Sequence, residues 1–207
     1  MPVVVTALPE SLSRAERAAL ADLLERVGPD RPTGCAGWTT ADLAAHLVVR
    51  DRRPDTAPGA VLGGPAGRWT ERVRTRLRDR TPWVELVAAV RSGPPAYLPT
   101  AWPVLDRLVN TGEMAIHHED VRRGGPDWSP RELPAAAQDE LWRQVPFLAR
   151  TRTRGLPGRL LVRRTDTGGT RSLGSGDPVT TVSGDPLELL LWASGRDGLA
   201  RVEVVAG

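Results

Sequence analysis

The chain has 207 residues, of which 28 are basic and 25 acidic, giving a formal net charge of +3. Every basic residue is an arginine, whose guanidinium stays protonated, so the basic character reflects arginine usage and not a polybasic protein. A single cysteine excludes an intramolecular disulfide framework, and no apolar run approaches the length of a membrane span. Since the first residues also lack the pattern of an export signal, a cytoplasmic location without a membrane partner is expected.

The first predicted helix begins at Ser13, which has the spacing of a capping box with Glu16, and it ends before Gly28 and Pro29. Its apolar residues recur with helical spacing, which predicts an inward face. That face comprises Leu20, Leu23, Leu24 and Val27.

A second helix is predicted from Thr39, with Asp42 completing a capping box, to Arg53, which precedes a proline. His46 falls on the apolar side of this helix, so its imidazole should point inward. The same face carries Leu43, Leu47 and Arg50.

A third helix follows a Pro/Gly-rich connection over residues 54–67, and it is rich in arginine. Trp69, Val73 and Leu77 recur at four-residue intervals, so the arginines should decorate a solvated face. No recognised nucleic-acid motif accompanies them, and no nucleic-acid partner is expected; binding of an anionic ligand stays open. The arginines are Arg68, Arg72, Arg74, Arg76, Arg78 and Arg80. A fourth helix is predicted from residues 81–82 to 90.

A fifth helix, predicted from Pro103 to Arg123, carries the most informative pair of residues. Glu113 and His117 lie one turn apart on a seam that is otherwise apolar, at Leu105, Leu108, Val109 and Ile116. An unpaired carboxylate buried there would cost several kcal/mol, so a partner is required. One solution is a divalent metal with His46 as third ligand, and the alternative is a buried hydrogen-bonded pair beside a core histidine.

The remaining elements are one more helix and then, after Gly155, a mixture of strands and a helix. Ser129 and Glu132 form a further capping box before a helix that Pro146 should kink. After Gly155, two short strands at 159–164 and 179–182 flank a turn at 165–169, and a helix capped by Asp185 and a strand at 201–205 follow. The predicted fold is α+β and mainly α, with a helical bundle over residues 1–155 and a small α+β domain over 156–207.

Two segments together resemble a known family. WTTADLAAHL at 38–47, followed by NTGEMAIHHEDVRR at 110–123, is similar to the mycothiol-dependent maleylpyruvate isomerase superfamily of DinB-like four-helix bundles. The chain resembles in particular a branch known only as metal-binding, and the similarity extends to the segment at 189–196. The resemblance implies His46, Glu113 and His117 as metal ligands, with zinc expected and nickel as the second choice.

The resemblance implies an enzyme in which the metal activates mycothiol, a low-molecular-weight thiol, for transfer or isomerisation of a small acidic or electrophilic substrate. His118 or Asp120 would orient a ligand, and Arg196 would bind the substrate. Cys35 is interpreted as a small buried filler, with a nucleophilic thiol as the alternative. The competing function class is a non-catalytic metal-binding module, such as a sensor or a partner-binding bundle.

Overall fold

The structure is a computed structural model that describes residues 11–57, 59, 63–155 and 157–207. It confirms the expected α+β fold, in which helices dominate and one small sheet lies near the C-terminus. The principal helices are α1 (Leu12–Val27), α2 (Thr40–Arg52), α3 (Gly64–Arg80), α4 (Trp83–Ser92), α5 (Pro103–Arg122), α6 (Ala135–Arg152) and α7 (Pro186–Ala193). None of the described helices is both long enough and apolar enough to cross a membrane.

Helices α1, α2, α4 and α5 form a four-helix bundle around one hydrophobic cluster. Leu20 and Leu24 of α1, Leu43 of α2, Leu86 of α4 and Met114 of α5 meet there, fully or almost fully buried. Burial of leucine-sized side chains stabilises a fold by roughly 1.5–3 kcal/mol each, so this cluster holds the bundle together. Helix α3 packs along the outer side of α2.

The sheet has the strands β1 (Arg159–Arg164), β2 (Thr170–Gly174), β3 (Val179–Gly184) and β4 (Glu203–Ala206), in the order β2-β1-β3-β4. Strands β1 and β3 are parallel, and the two outer strands are antiparallel to their neighbours. The turn at 165–169 was predicted, but the strand that follows it was not identified.

A second hydrophobic cluster joins α5 and α6 to the sheet and to α7. Ile116 of α5, Val145 of α6, Leu160 of β1 and Leu190 of α7 are among its buried members. Helix α6 therefore packs on the C-terminal elements as well as following the bundle in sequence. The division of the chain at residue 155 stays a prediction.

Several local expectations were wrong, and each has a physical reason. The capping box of Thr39 and Asp42 is present, but Ser13 and Glu16 do not form one, because helix α1 already begins at Leu12. Ser13 donates a hydrogen bond to Asp106, and Glu16 pairs with His118 and Arg131.

The second wrong capping box is that of Ser129 and Glu132. Helix α6 begins only at Ala135, after Pro134, and residues 129–134 have no regular secondary structure. Arg131 from this segment reaches the buried carboxylates of Glu16 and Glu119 instead. Tertiary ion pairs thus replace the local cap.

Two further corrections concern the faces of helices. Arg74 is buried and not solvated, because it pairs with Asp42 and lies over the ring of Trp38. On α5, Leu108 and Val109 are exposed, so the seam that was expected to face the core lies partly at the surface.

Candidate metal site

Three side chains from two helices converge on one point. His46 comes from α2, and Glu113 and His117 come from successive turns of α5. Their ligand atoms all lie within 4.8 Å of one another. The Oε1 atom of Glu113 is 3.4 Å from Nε2 of His46 and 3.3 Å from Nε2 of His117. The structure therefore brings together all three residues that the sequence had suggested as ligands.

The separations of these atoms fit a shared ion. In a tetrahedral zinc site with bonds of about 2.0–2.2 Å, neighbouring ligand atoms are about 3.3–3.6 Å apart. Charge-assisted hydrogen bonds between nitrogen and carboxylate are shorter, about 2.7–2.9 Å. The two contacts of Glu113 are thus longer than strong hydrogen bonds and match the edges of a metal tetrahedron.

The orientation of His117 fits the same role. Its Nδ1 atom donates to Oδ2 of Asp120 at 2.9 Å, which leaves Nε2 to face Glu113 and His46. Metal-binding histidines commonly donate their second ring nitrogen to a carboxylate, because this fixes both the tautomer and the ring. Asp120, which is fully buried, is in turn held by Arg196, whose Nη2 is 2.9 Å from Oδ2.

The charges around the three residues are strongly coupled. Burial alone would raise the pKa of Glu113, but hydrogen bonds from His117 and His46 and the charge of Arg50 hold it well below its usual value. Burial lowers the pKa of His117, but Asp120, Cys35 and Glu113 outweigh this effect and hold it well above the usual value. For His46, burial dominates and lowers the pKa. Metal binding here would release a proton from His117.

Two residues that the sequence had not marked as site residues complete the surroundings of His46 and Glu113. Arg50 places its Nε atom 3.1 Å from Oε1 of Glu113, and its Nη1 donates to Asn110 at 2.6 Å. Trp38 packs its ring 5.3 Å from the ring of His46. Helical spacing had put Arg50 on the face of His46, so this neighbour was foreseeable; the contact of Trp38 depends on a loop.

That loop also brings Cys35 to the site. The Sγ atom of Cys35 donates to Oδ2 of Asp120 at 3.2 Å, and the backbone of Gly34 donates to the Asp120 carbonyl at 2.7 Å. A Cβ on Gly34 would lie 2.7 Å from Oδ1 of Asp120 and 2.4 Å from Leu199, so only glycine permits this approach. No sequence spacing relates Cys35 to Asp120, and this contact could not have been predicted.

Arg196 and His118, the other two catalytic candidates, lie at different distances from the cluster. Arg196 reaches the site through Asp120. His118 does not contact the three ligand candidates; its Nδ1 is 2.8 Å from Glu16, and Arg131 binds the same carboxylate. His118 is nevertheless buried, so it belongs to an internal ion-pair network and not to the surface.

The candidate site is accessible from several directions. Glu113 lines three separate cavities. One also contains His46 and Arg53, a second contains His117, Arg152 and Arg196, and the third runs between α5 and α6. Open space therefore borders the side chains that would hold an ion.

Comparisons with known proteins show what the sequence and the fold are similar to. Residues 13–85 match the family model of the mycothiol maleylpyruvate isomerase N-terminal domain. A crystal structure of the mycothiol-dependent maleylpyruvate isomerase superposes with a TM-score of 0.60 at 17% sequence identity, covering 93% of this chain and 90% of that chain. A histidine-to-alanine mutant of that isomerase superposes with a TM-score of 0.58 at 16% identity, with the same coverage of 93% and 90%. No curated protein matches the sequence significantly.

Proposed function

We propose that the chain, whose residues 13–85 match the model of the mycothiol maleylpyruvate isomerase N-terminal domain, is a metal- and thiol-dependent transferase or isomerase. The observation that carries this proposal is the pair of separations, 3.4 and 3.3 Å, between Glu113 and the two histidine nitrogens. They match the edges between ligand atoms in a tetrahedral zinc site, and a bound ion would take the place of the long hydrogen bonds of Glu113.

His46, Glu113 and His117 would hold the ion through two nitrogens and one oxygen. Zinc suits this set best and nickel is the second choice, since imidazole favours these metals over magnesium. A divalent ion with three protein ligands keeps an open position, where it lowers the pKa of a bound thiol so that the thiolate predominates at neutral pH. The family implies mycothiol as the thiol.

Residues that surround the ion would hold its ligands in place and balance their charge. Asp120 holds His117 in the tautomer that presents Nε2, and Arg196 balances the charge of Asp120. Arg196 and Arg152 line the cavity that contains His117, so an anionic group on the substrate would bind there. The proposed substrate is accordingly a small electrophile with an acidic group. The proposed location is the cytoplasm, whose reducing conditions suit a thiol-dependent enzyme.

The cavities beside Glu113 favour this function over a metal-binding module that only supports the fold. A structural zinc site is normally closed by four protein ligands, whereas this cluster offers three and borders open space.

Metal analysis of purified protein tests the ligand set. We expect about one zinc or nickel ion per chain in the wild type and severe loss in His46→Ala, Glu113→Ala and His117→Ala. His118→Ala is the matched control, because this neighbouring buried histidine contacts Glu16 and not the cluster. Full occupancy in all three ligand variants would disprove the site.

Spectroscopy of cobalt-substituted protein separates an enzyme from a module. We expect a sulfur-to-cobalt charge-transfer band when mycothiol or a simpler thiol is added, because the ion has an open position. The band should persist in Cys35→Ser, since the thiol is supplied from solution. A metal-loaded protein that gives no band with any thiol would contradict the catalytic role.

A further inference from the structure

The groove between α5 and α6 has an apolar lining that the proposed chemistry at the ion does not require. Leu108 is 67% exposed and Phe147 is 74% exposed, although both are large apolar side chains. Both line a cavity of about 480 Å³, a volume typical of small-molecule sites. Val109, Ile116 and Leu148 complete its apolar walls.

The groove is built into the packing of the two helices. Gln144 of α6 accepts a hydrogen bond from the backbone of Gly112 at 3.0 Å and donates to the Arg107 carbonyl at 3.2 Å. A Cβ at Gly112 would lie 2.4 Å from Oε1 of Gln144, so glycine permits this polar bridge. The bridge ties α5 to α6, and both Gly112 and Gln144 line the groove.

The groove is continuous with the candidate metal site. Glu113 lines it, and Glu113, Ile116 and Leu148 also line the cavity that contains His117 and Arg196. Arg143 also lines the groove, and it is an exposed side chain without a carboxylate within 4.0 Å among the described residues. An apolar trough with an unpaired guanidinium is complementary to a hydrophobic anion.

We propose that the groove binds the apolar body of the substrate, which is an electrophile carrying an alkyl or aryl chain and, in addition to the anionic group proposed to bind beside Arg196, a carboxylate bound by Arg143. This inference rests on the proposed function, because it identifies the groove as the substrate side of the metal site. Leu108 and Ile116 are eight positions apart on α5, or about 12 Å along the helix, which accommodates a chain of about eight to ten carbons.

A homologous series of unbranched alkyl carboxylates, from butanoate to decanoate, tests the proposal by calorimetry below the micelle concentrations. Each added methylene should raise affinity about two- to fourfold until the groove is filled, with one ligand per chain. Phe147→Ser and Leu108→Ser should flatten this dependence without unfolding the protein, because both side chains are largely exposed. Val84→Ser is the control, since Val84 is 78% exposed on α4, away from the groove.

Arg143→Gln should keep the dependence on chain length but abolish the preference for each carboxylate over the matching alcohol. A flat series in the wild type, or an unchanged series in both groove variants, would overturn the proposal, as would equal losses in Val84→Ser. Metal content and the cobalt-thiolate band are measured on the same samples. Intact metal and thiol binding with a flat series would refute the groove alone, whereas a normal series without metal would refute the proposed function alone.

Discussion

Replacing Asp120 by asparagine tests whether the contacts behind His117 serve metal binding. Oδ2 of Asp120 accepts from His117 at 2.9 Å, from Arg196 at 2.9 Å and from Cys35 at 3.2 Å. Oδ1 accepts from Nε of Arg196 at 3.2 Å. Asparagine has nearly the same shape but only one acceptor oxygen, so its amide nitrogen must face one of these donors.

The magnitude follows from this geometry. If the amide oxygen keeps the bond to His117, the amide nitrogen opposes Nε of Arg196, and the guanidinium loses its counter-charge. The imidazole then lacks a charged acceptor and is a weaker, less well-oriented ligand. Loss of such an outer contact typically lowers metal affinity about 10- to 100-fold, which corresponds to about 1.4–2.8 kcal/mol.

Competition against a chromogenic zinc chelator measures this change directly. Glu119→Gln is the matched control, because Glu119 is an equally buried carboxylate on α5 that pairs with Arg122 and Arg123 and does not contact the cluster. It should destabilise the fold while leaving zinc affinity within a factor of about three. Unchanged zinc affinity in Asp120→Asn, or equal loss in both variants, would refute the reasoning.

Three further predictions concern stability. Removal of the metal should leave the helical circular dichroism intact but lower Tm by about 5–11 °C. An ion at one hundred times its Kd adds about 2.7 kcal/mol to the free energy of unfolding, and each kcal/mol shifts Tm by about 2–4 °C. Complete unfolding would indicate a purely structural ion. Arg131→Met should cost up to about 3–5 kcal/mol in urea unfolding, because it leaves the buried Glu16 and Glu119 short of a cation. Burial raises the pKa of Glu16 and Glu119, but their hydrogen bonds and cationic partners outweigh this effect and lower both pKa values. The stabilisation by these ion pairs is therefore present above the ordinary pKa of 4.5 and is lost as pH falls through the folded-state values. An Arg131→Met variant as stable as wild type at pH 7 would contradict the ion-pair network. Leu190→Ala in the second core and Leu20→Ala in the bundle should each cost about 2–5 kcal/mol, and both should shift one common transition; two separate transitions would instead support independent domains on either side of residue 155.

The sequence was most informative where local signals and function coincide. The capping box of Thr39 and Asp42 set the start of α2, and helical periodicity then placed His46 inward. The same periodicity aligned Glu113 with His117 on α5. The directions of these three side chains follow from the inward faces of two helices. The sequence and the resemblance together therefore predicted a cluster in which His46 and Glu113 are 67 positions apart.

The face of α5 could not be predicted from its apolar residues. Asp106 and Asn110 are buried while Leu108 is exposed, because the polar pair finds partners in Ser13 and Arg50. Hydrophobic periodicity assumes that polar groups lie outside, and it fails where tertiary hydrogen bonds satisfy them inside. Leu108 and Val109, which are left outside, line the groove.

The two adjacent histidines show how far a motif alone can lead. Consecutive residues of a helix point about 100° apart, so His117 and His118 must face different partners. Helix α2 and the loop with Cys35 lie on the side of His117, whereas Glu16 of α1 lies on the side of His118. The two imidazoles then differ in the carboxylate that each one contacts. Asp120 binds Nδ1 of His117, so Nε2 of this histidine faces Glu113. Glu16 of α1 binds both His118 and Arg131. Sequence spacing separates the two directions, but only the surrounding helices determine which histidine faces an accessible cavity.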